Sequence, residues 1–199
     1  MTLSKPTFGK TLLLLSTVAA LALPQIGFAQ DNEYTAPLTE LANSKLKAIA
    51  QDPTVVAAIE AHNAMTAGYD QAKIDELDTQ WRAEVSAAAK PLIDATLGTD
   101  ASKFLVSAQD GSAGLFTEIF VMDAKGLNVA QSTVTSDYWQ GDEDKWQQTF
   151  SVGAGAVHLG EIEQDESTQA FQSQVSITVV DAAGNPIGAI TAGVDLAAL

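Results

Sequence analysis

No cysteine occurs among the 199 residues. That excludes disulfides, thiolate metal sites, a thiol nucleophile and a lipid-modified N-terminal cysteine. Cations are scarce too: ten Lys and Arg stand against 25 Asp and Glu, a formal net charge of −15. A surface of that sign repels nucleic acid and anionic headgroups, so no nucleic-acid partner is expected. Imidazole is limited to His62 and His158, each read as structural or exposed rather than as a base. Enzyme signatures are missing as well. The "GSAG" of Gly111–Gly114 is not a Gly-x-Ser-x-Gly elbow, and no phosphate-cradling glycine loop follows a strand. Asp142, Glu143 and Asp144 are consecutive, so they cannot converge as the alternating ligands of a calcium loop do. Glu161, Glu163 and Asp165 would share one face of a strand, which suits a solvated edge. These absences give no catalytic residue, no metal and no cofactor, and an expectation that the protein is not an enzyme.

Long hydrophobic runs are limited to one, at the start: "MTLSKPTFGKTLLLLSTVAALALPQIGFAQ". Lys5 and Lys10 lead, an apolar stretch follows, and Gly27 and Ala29 are small residues before a cut. This is the layout of a secretory signal peptide, predicted over 1–29 with cleavage after Ala29. The apolar stretch is about a dozen residues, short of the ~20 that span a bilayer. Both of its lysines leave with it, whereas all 25 acids stay. The expectation is an acidic periplasmic protein, one domain over 30–199, with no stable membrane anchor after cleavage and a core large enough to fold without bridges.

Within that domain, residues 30–98 read as helical. "LTELANSKLKAIAQ" sets Leu38, Leu41, Leu46 and Ile49 near a helical period. A second helix starts with Asp52 as cap and Pro53 at its first position, turning Val56, Ile59 and Met65 inward. A long helix from Asp70 to Gly98 carries the stripe Ile74, Leu77, Trp81, Val85 and Ala88, with Pro91 kinking or ending it. Residues 99–199 read as sheet. "FTEIFVMDAKGLNVAQS" and "VSITVVDAAGNPIGAITAGVDL" are two hairpins with the shared cadence apolar-apolar-Asp-Ala-x-Gly. Similar turn physics, rather than a duplicated domain, accounts for the cadence. The fold class is α+β, a helical layer on a mainly antiparallel sheet.

Between the hairpins lies "DYWQGDEDKW", Asp137 to Trp146, where three large aromatics and four carboxylates surround one glycine. "DEDKWQQTF" reads as a short helix with an acidic first turn, favourable at the positive end of the helix dipole. Trp146 and Phe150, four apart, then share a face. Trp146 serves equally as packing or as part of a site. Tyr138 and Trp139, amphipathic rings on a loop beside acids, suit the wall of a small-molecule pocket. A cationic ligand would meet these rings together with Asp137 or Asp165.

The order of segments resembles the extracytoplasmic Cache (PAS-like, PDC) sensor domains of bacterial chemoreceptors and histidine kinases. "VVDAAGNPIG" carries that family's Val-Asp-x-x-Gly-x-x-Ile-Gly pattern from Val180 to Gly188, and the "QGDEDKW" loop-helix is the next closest match. The resemblance implies a long N-terminal helix along a roughly five-stranded antiparallel sheet. It implies a ligand pocket on the opposite face, roofed by Asp137 to Phe150. Carried over position by position, Tyr138 and Trp139 become pocket wall, Trp146 lid, and Asp165 the acid facing a ligand ammonium. No Arg follows the tyrosine to hold an amino-acid carboxylate, and Lys145 is the one local cation, so the ligand expected is an amine or another small metabolite. Family receptors run on into a membrane helix, whereas this sequence stops at "GVDLAAL". The expectation is therefore a free-standing single-Cache periplasmic protein that presents its ligand-bound state to a separate membrane-bound histidine kinase or chemoreceptor. The alternative reading is a structural or protein-interaction domain whose pocket is filled by its own side chains.

Overall fold

A computed structural model describes Met1, residues 32–164 and residues 170–199. The rest of the leader and Asp165 lie outside the described residues. The described segment from residue 32 opens with helix α1 (Thr35–Leu41), widens into a π-helical turn (Ala42–Leu46) and resumes as α2 (Lys47–Ala50). Helix α3 (Pro53–Thr66) starts as its residues require: the Asp52 carboxylate accepts from the Thr54 N–H, and Pro53 occupies the first position, where no donor is missed. Its buried residues are Val55, Ile59 and Thr66; Val56 packs half-buried against the core, as expected, whereas Met65, expected inward, is 57% exposed.

The predicted long helix from Asp70 is two. Helix α4 (Gln71–Val85) is capped by Asp70 and buries Ile74, Trp81 and Glu84. Helix α5 (Pro91–Leu97) opens on Pro91. The Glu84 carboxylate explains the break. It accepts from the Leu92 and Ile93 N–H groups at 2.8 and 3.0 Å, capping α5, and the Val85 side chain is left exposed. Burial pushes the Glu84 carboxyl up, but bonds from Gln80, Ile93 and Leu92 outweigh it and hold it below the usual value. Helix α6 (Asp100–Asp110), capped by Thr99, continues the helical layer beyond the expected change at Gly98 and buries Ala101 and Leu105.

Strands β1 (Phe116–Asp123) and β2 (Asn128–Gln131) form the first hairpin. The short helix α7 (Asp144–Gln147), β3 (Val157–Leu159), β4 (Glu163–Gln164), β5 (Phe171–Val180) and β6 (Pro186–Asp195) follow. All described pairs are antiparallel, in the order β2-β1-β6-β5-β3, with the two-residue β4 also on β5. The expected five strands thus become six. Both hairpin turns use one device. Asp123 accepts from the N–H groups of Lys125 and Leu127, and Asp181 from those of Ala183 and Asn185, two and four residues on. Gly126 and Gly184 supply the positive φ in each, 81° and 86°.

Alternation sends Ile119, Val121, Val175, Ile177, Val179, Ile190, Ala192 and Val194 to one face, where they form the main core with α1, α3 and α6. The far face presents the facing sets Glu118–Gly193–Gln174, Phe120–Thr191–Ser176 and Met122–Ala189–Thr178. A second core joins α4 and α5 to Leu127 and Tyr138 at the β2 edge. No described helix is long and apolar enough to cross a membrane. Gly188 lets β6 close on β1, because a Cβ there would collide with the Met122 carbonyl and press on Ile59. Gly188→Ala should lower unfolding free energy by about 1–3 kcal/mol in urea denaturation; an unchanged midpoint would show that the β1–β6 contact relaxes freely.

Candidate functional site

After β2 the chain crosses back over the far face of the sheet, and main-chain atoms fix its course. The Thr135 carbonyl accepts from the Trp81 indole at 2.9 Å. The Tyr138 and Trp139 N–H groups donate to the Asp78 carboxylate at 2.9 and 3.1 Å. Gln140 N–H donates to the Gly126 carbonyl, and the Trp139 indole donates to Lys125 O. Gly141 stands in the turn that the Glu143 N–H closes on the Gln140 carbonyl at 3.1 Å, and it lies against both Gly126 and the Trp139 ring, so a side chain there would collide. Arg82 of α4 bridges Asp78 and Asp137 at 2.7 and 3.2 Å. Its guanidinium is held more firmly protonated than usual, first by the Asp78 hydrogen bond.

Helix α7 then lays its apolar side on the sheet. Trp146 and Phe150, with ring centroids 5.1 Å apart, pack on Phe120, Met122 and Ala189, and the Trp146 indole donates to the Asp123 carbonyl at 3.0 Å. Lys145 extends over the Phe120 ring, 5.4 Å from its centroid, and pairs with Glu143 at 2.8 Å and Gln140 at 3.2 Å. Between this roof and the sheet lies a cavity of about 180 Å³. Its floor is Glu118, Phe120 and Gln174; Thr135, Asp137, Gln140 and Lys145 are on the roof side, with Val134 and Ser136 at the wall. The lining is predominantly polar. Gln174 donates to Glu118 at 3.0 Å, and Gln140 donates to Asp137. Two carboxylates, one ammonium, two amides and a ring face converge there. Such a set can hold a small polar molecule with hydrogen-bonding groups at both ends.

Of the residues singled out from sequence, Asp137 lines this cavity. Tyr138 and Trp139 do not. Tyr138 is 4% exposed and stacks on Trp81 at 5.2 Å, and Trp139 packs against the same cluster. Trp146 roofs the sheet beside the cavity without lining it. Asp165 lies outside the described residues. The residues that sequence reasoning passed over are Glu118, Phe120, Gln140 and Gln174. A usable signal was present for Glu118. In "FTEIFVM", Ile119 and Val121 mark the core face, so the acid shares the other face with Phe120 and Met122.

Behind the roof stands a buried polar cluster. His62 Nδ1 is 2.9 Å from Asp123 Oδ2, and His62 Nε2 is 3.2 Å from the Tyr138 hydroxyl. Thr66 donates to the same Asp123 oxygen at 2.7 Å. Burial pushes the Asp123 carboxyl up, but the His62 bond, then those from Leu127 and Thr66, outweigh it, leaving it below the ordinary aspartate value. Burial, then the Asp123 charge, raise the Tyr138 phenol well above its usual range, so it remains a donor. His158 sits half-buried on β3, where burial lowers its basicity. Among the described residues, no three His, Asp or Glu side chains gather as metal ligands.

No protein-family model matches this chain, and no curated protein matches it. Solved structures similar to it include the sensor domain of the histidine kinase DctB from V. cholerae, 16% identical, TM-score 0.39, covering 84% of this chain and 59% of that one. The ligand-binding domain of the chemoreceptor CtaA from Pseudomonas fluorescens, in complex with L-alanine, is 12% identical with a TM-score of 0.36, over 71% of this chain and 56% of that one. That of the amino acid chemoreceptor PctC from Pseudomonas aeruginosa PAO1, in complex with GABA, is 12% identical with a TM-score of 0.39, over 81% and 61%. This chain thus spans roughly three-fifths of their lengths. At such scores no residue of one chain is assigned to a residue of another.

Because the folded Asp123 pKa lies below its unfolded value of about 3.8, its stabilisation is complete above that pH and is lost as pH falls through the folded value. Asp123→Asn should cost about 3 kcal/mol at neutral pH and flatten the acid limb of the stability profile. Parallel profiles for the two proteins between neutral and strongly acid pH would remove Asp123 from this role.

Proposed function

We propose that this chain is a small-molecule binding and sensor protein of the Cache type, acting in the periplasm. The cavity carries the reading: a polar hollow on the sheet face away from α1–α3, beneath a roof formed by the loop and α7. The sensor and ligand-binding domains named above come to this chain only as a class; the proposal rests on the hollow and on the sequence pattern from Val180 to Gly188. The ligand is a small amine or comparable metabolite. Glu118 and Asp137 take its cationic end, and Lys145 and Gln140 take an acceptor. Asp165 is assigned to the ammonium from the sequence resemblance alone. Tyr138 and Trp139 act from behind, setting the position of Asp137 rather than touching ligand. Trp146 closes the roof. Binding would favour the closed roof by the difference in affinity between its two positions, and a separate membrane receptor or kinase would read that state.

One observation favours the second reading, a structural or interaction domain. Two of the three rings expected at the pocket are packed into protein, with Tyr138 4% exposed. Neither reading includes a catalytic step.

A thermal-shift panel of amines, amino acids, carboxylates and purines separates the two. A ligand at a hundredfold excess over its Kd adds roughly 2.7 kcal/mol. Glu118→Gln and Lys145→Met should each remove the shift while retaining the unliganded melting temperature within a few degrees. Asp165→Asn should weaken amines selectively. A panel in which nothing stabilises the protein, or a shift indifferent to both cavity variants, favours the structural domain.

A further inference from the structure

On the opposite side of the sheet a second cavity, of about 220 Å³, opens between the π-helical turn with α2 and the strands β3 and β5. Its walls are small and apolar, formed by Ala42, Ala50, Ala156, Val157, Ile177 and Val179. Several of these belong to the main core cluster, so the hollow is an inlet of the core that reaches the surface. The π turn forms part of its wall. There the Lys47 N–H reaches back to the Ala42 carbonyl, five residues away, and Ala42 is fully buried. Such single-turn expansions cost regular hydrogen bonding and occur frequently at functional sites.

Charge distinguishes this inlet from a packing fault. Lys47 lines it, and Lys45 stands in the same turn of helix. Every other described Lys or Arg bonds a carboxylate or a carbonyl oxygen. Among the described residues these two alone have no such partner. Of these two, Lys47 lines the apolar hollow, in a chain whose formal net charge is −15. The mouth is otherwise polar but uncharged, with Asn43 and Gln51. The volume lies below the roughly 300–1,000 Å³ of drug-sized pockets, so a short chain fits and a bulky ring system does not.

We propose that this inlet is a second binding site, for a short- to medium-chain aliphatic monocarboxylate, with the alkyl chain between Ala42, Ala156 and Ile177 and the carboxylate at Lys47. It is independent of the far-face cavity. An apolar chain entering a preformed apolar hollow supplies the affinity, and the exposed lysine supplies selection against neutral and cationic analogues.

Octanoate, octanol and octylammonium titrated calorimetrically into the full-length protein test the assignment. Octanoate should bind saturably, and more tightly than either analogue. Lys47→Gln should weaken octanoate about three- to fivefold and leave octanol unchanged. Ala156→Leu, which fills the hollow, should abolish binding of both. Lys47→Gln changes an exposed helix position, so it keeps the test decisive if the leucine variant does not fold. Glu118→Gln should leave octanoate binding untouched, which separates failure of this site from failure of the far-face one. Absence of saturable octanoate binding, or binding that Lys47→Gln does not weaken, overturns the proposal.

Discussion

One carboxylate holds the layers of this molecule in register. Asp123 ends β1, and its two carboxylate oxygens reach two parts of the structure. One accepts from Lys125 and Leu127 and shapes the hairpin; the other meets His62 and Thr66 of α3. Through His62 the contact extends to Tyr138, and the Asp123 carbonyl receives the Trp146 indole. Helical layer, sheet and roof therefore converge on a group with no exposed surface. A buried charge is tolerated only when its lone pairs are occupied, and here four donors do that.

That convergence places the far-face cavity. The roof is fixed at its start by Asp78 and Trp81 of α4 and toward its end by Trp146 on the Asp123 carbonyl. Between those anchors Asp137, Gln140 and Lys145 come over Glu118 and Phe120. Arg82, half-exposed, balances Asp137 from outside, while Lys145 divides its bonds between Glu143 and Gln140. The hollow thus holds both signs of charge in a protein that is otherwise strongly acidic.

Local chemistry was legible in the sequence. The caps at Asp52 and Asp70, the Pro53 start and both Asp-Ala-x-Gly turns appear where residue preferences put them, because each is decided within about five residues. The α+β class followed from the change of period. What failed depended on distant partners. The long helix breaks because Glu84 caps α5, and the inward stripe gives way to that acid at Val85. Tyr138 and Trp139 were expected at a pocket because rings beside acids on a loop suit one. Their burial is decided by Trp81, which lies more than fifty positions earlier, and nothing local announces it. Glu118 was recoverable from alternation within β1, whereas Gln174 needed the β5–β6–β1 pairing to bring it beside that acid.

The roof is suspended largely by its backbone. Thr135 offers its carbonyl, Tyr138 and Trp139 their N–H groups, and Gln140 its N–H, whereas Val134 and Ser136 line the hollow. Substitution at Val134 or Ser136 would therefore alter the surface that faces the hollow while leaving those main-chain bonds, and with them the course of the roof, intact.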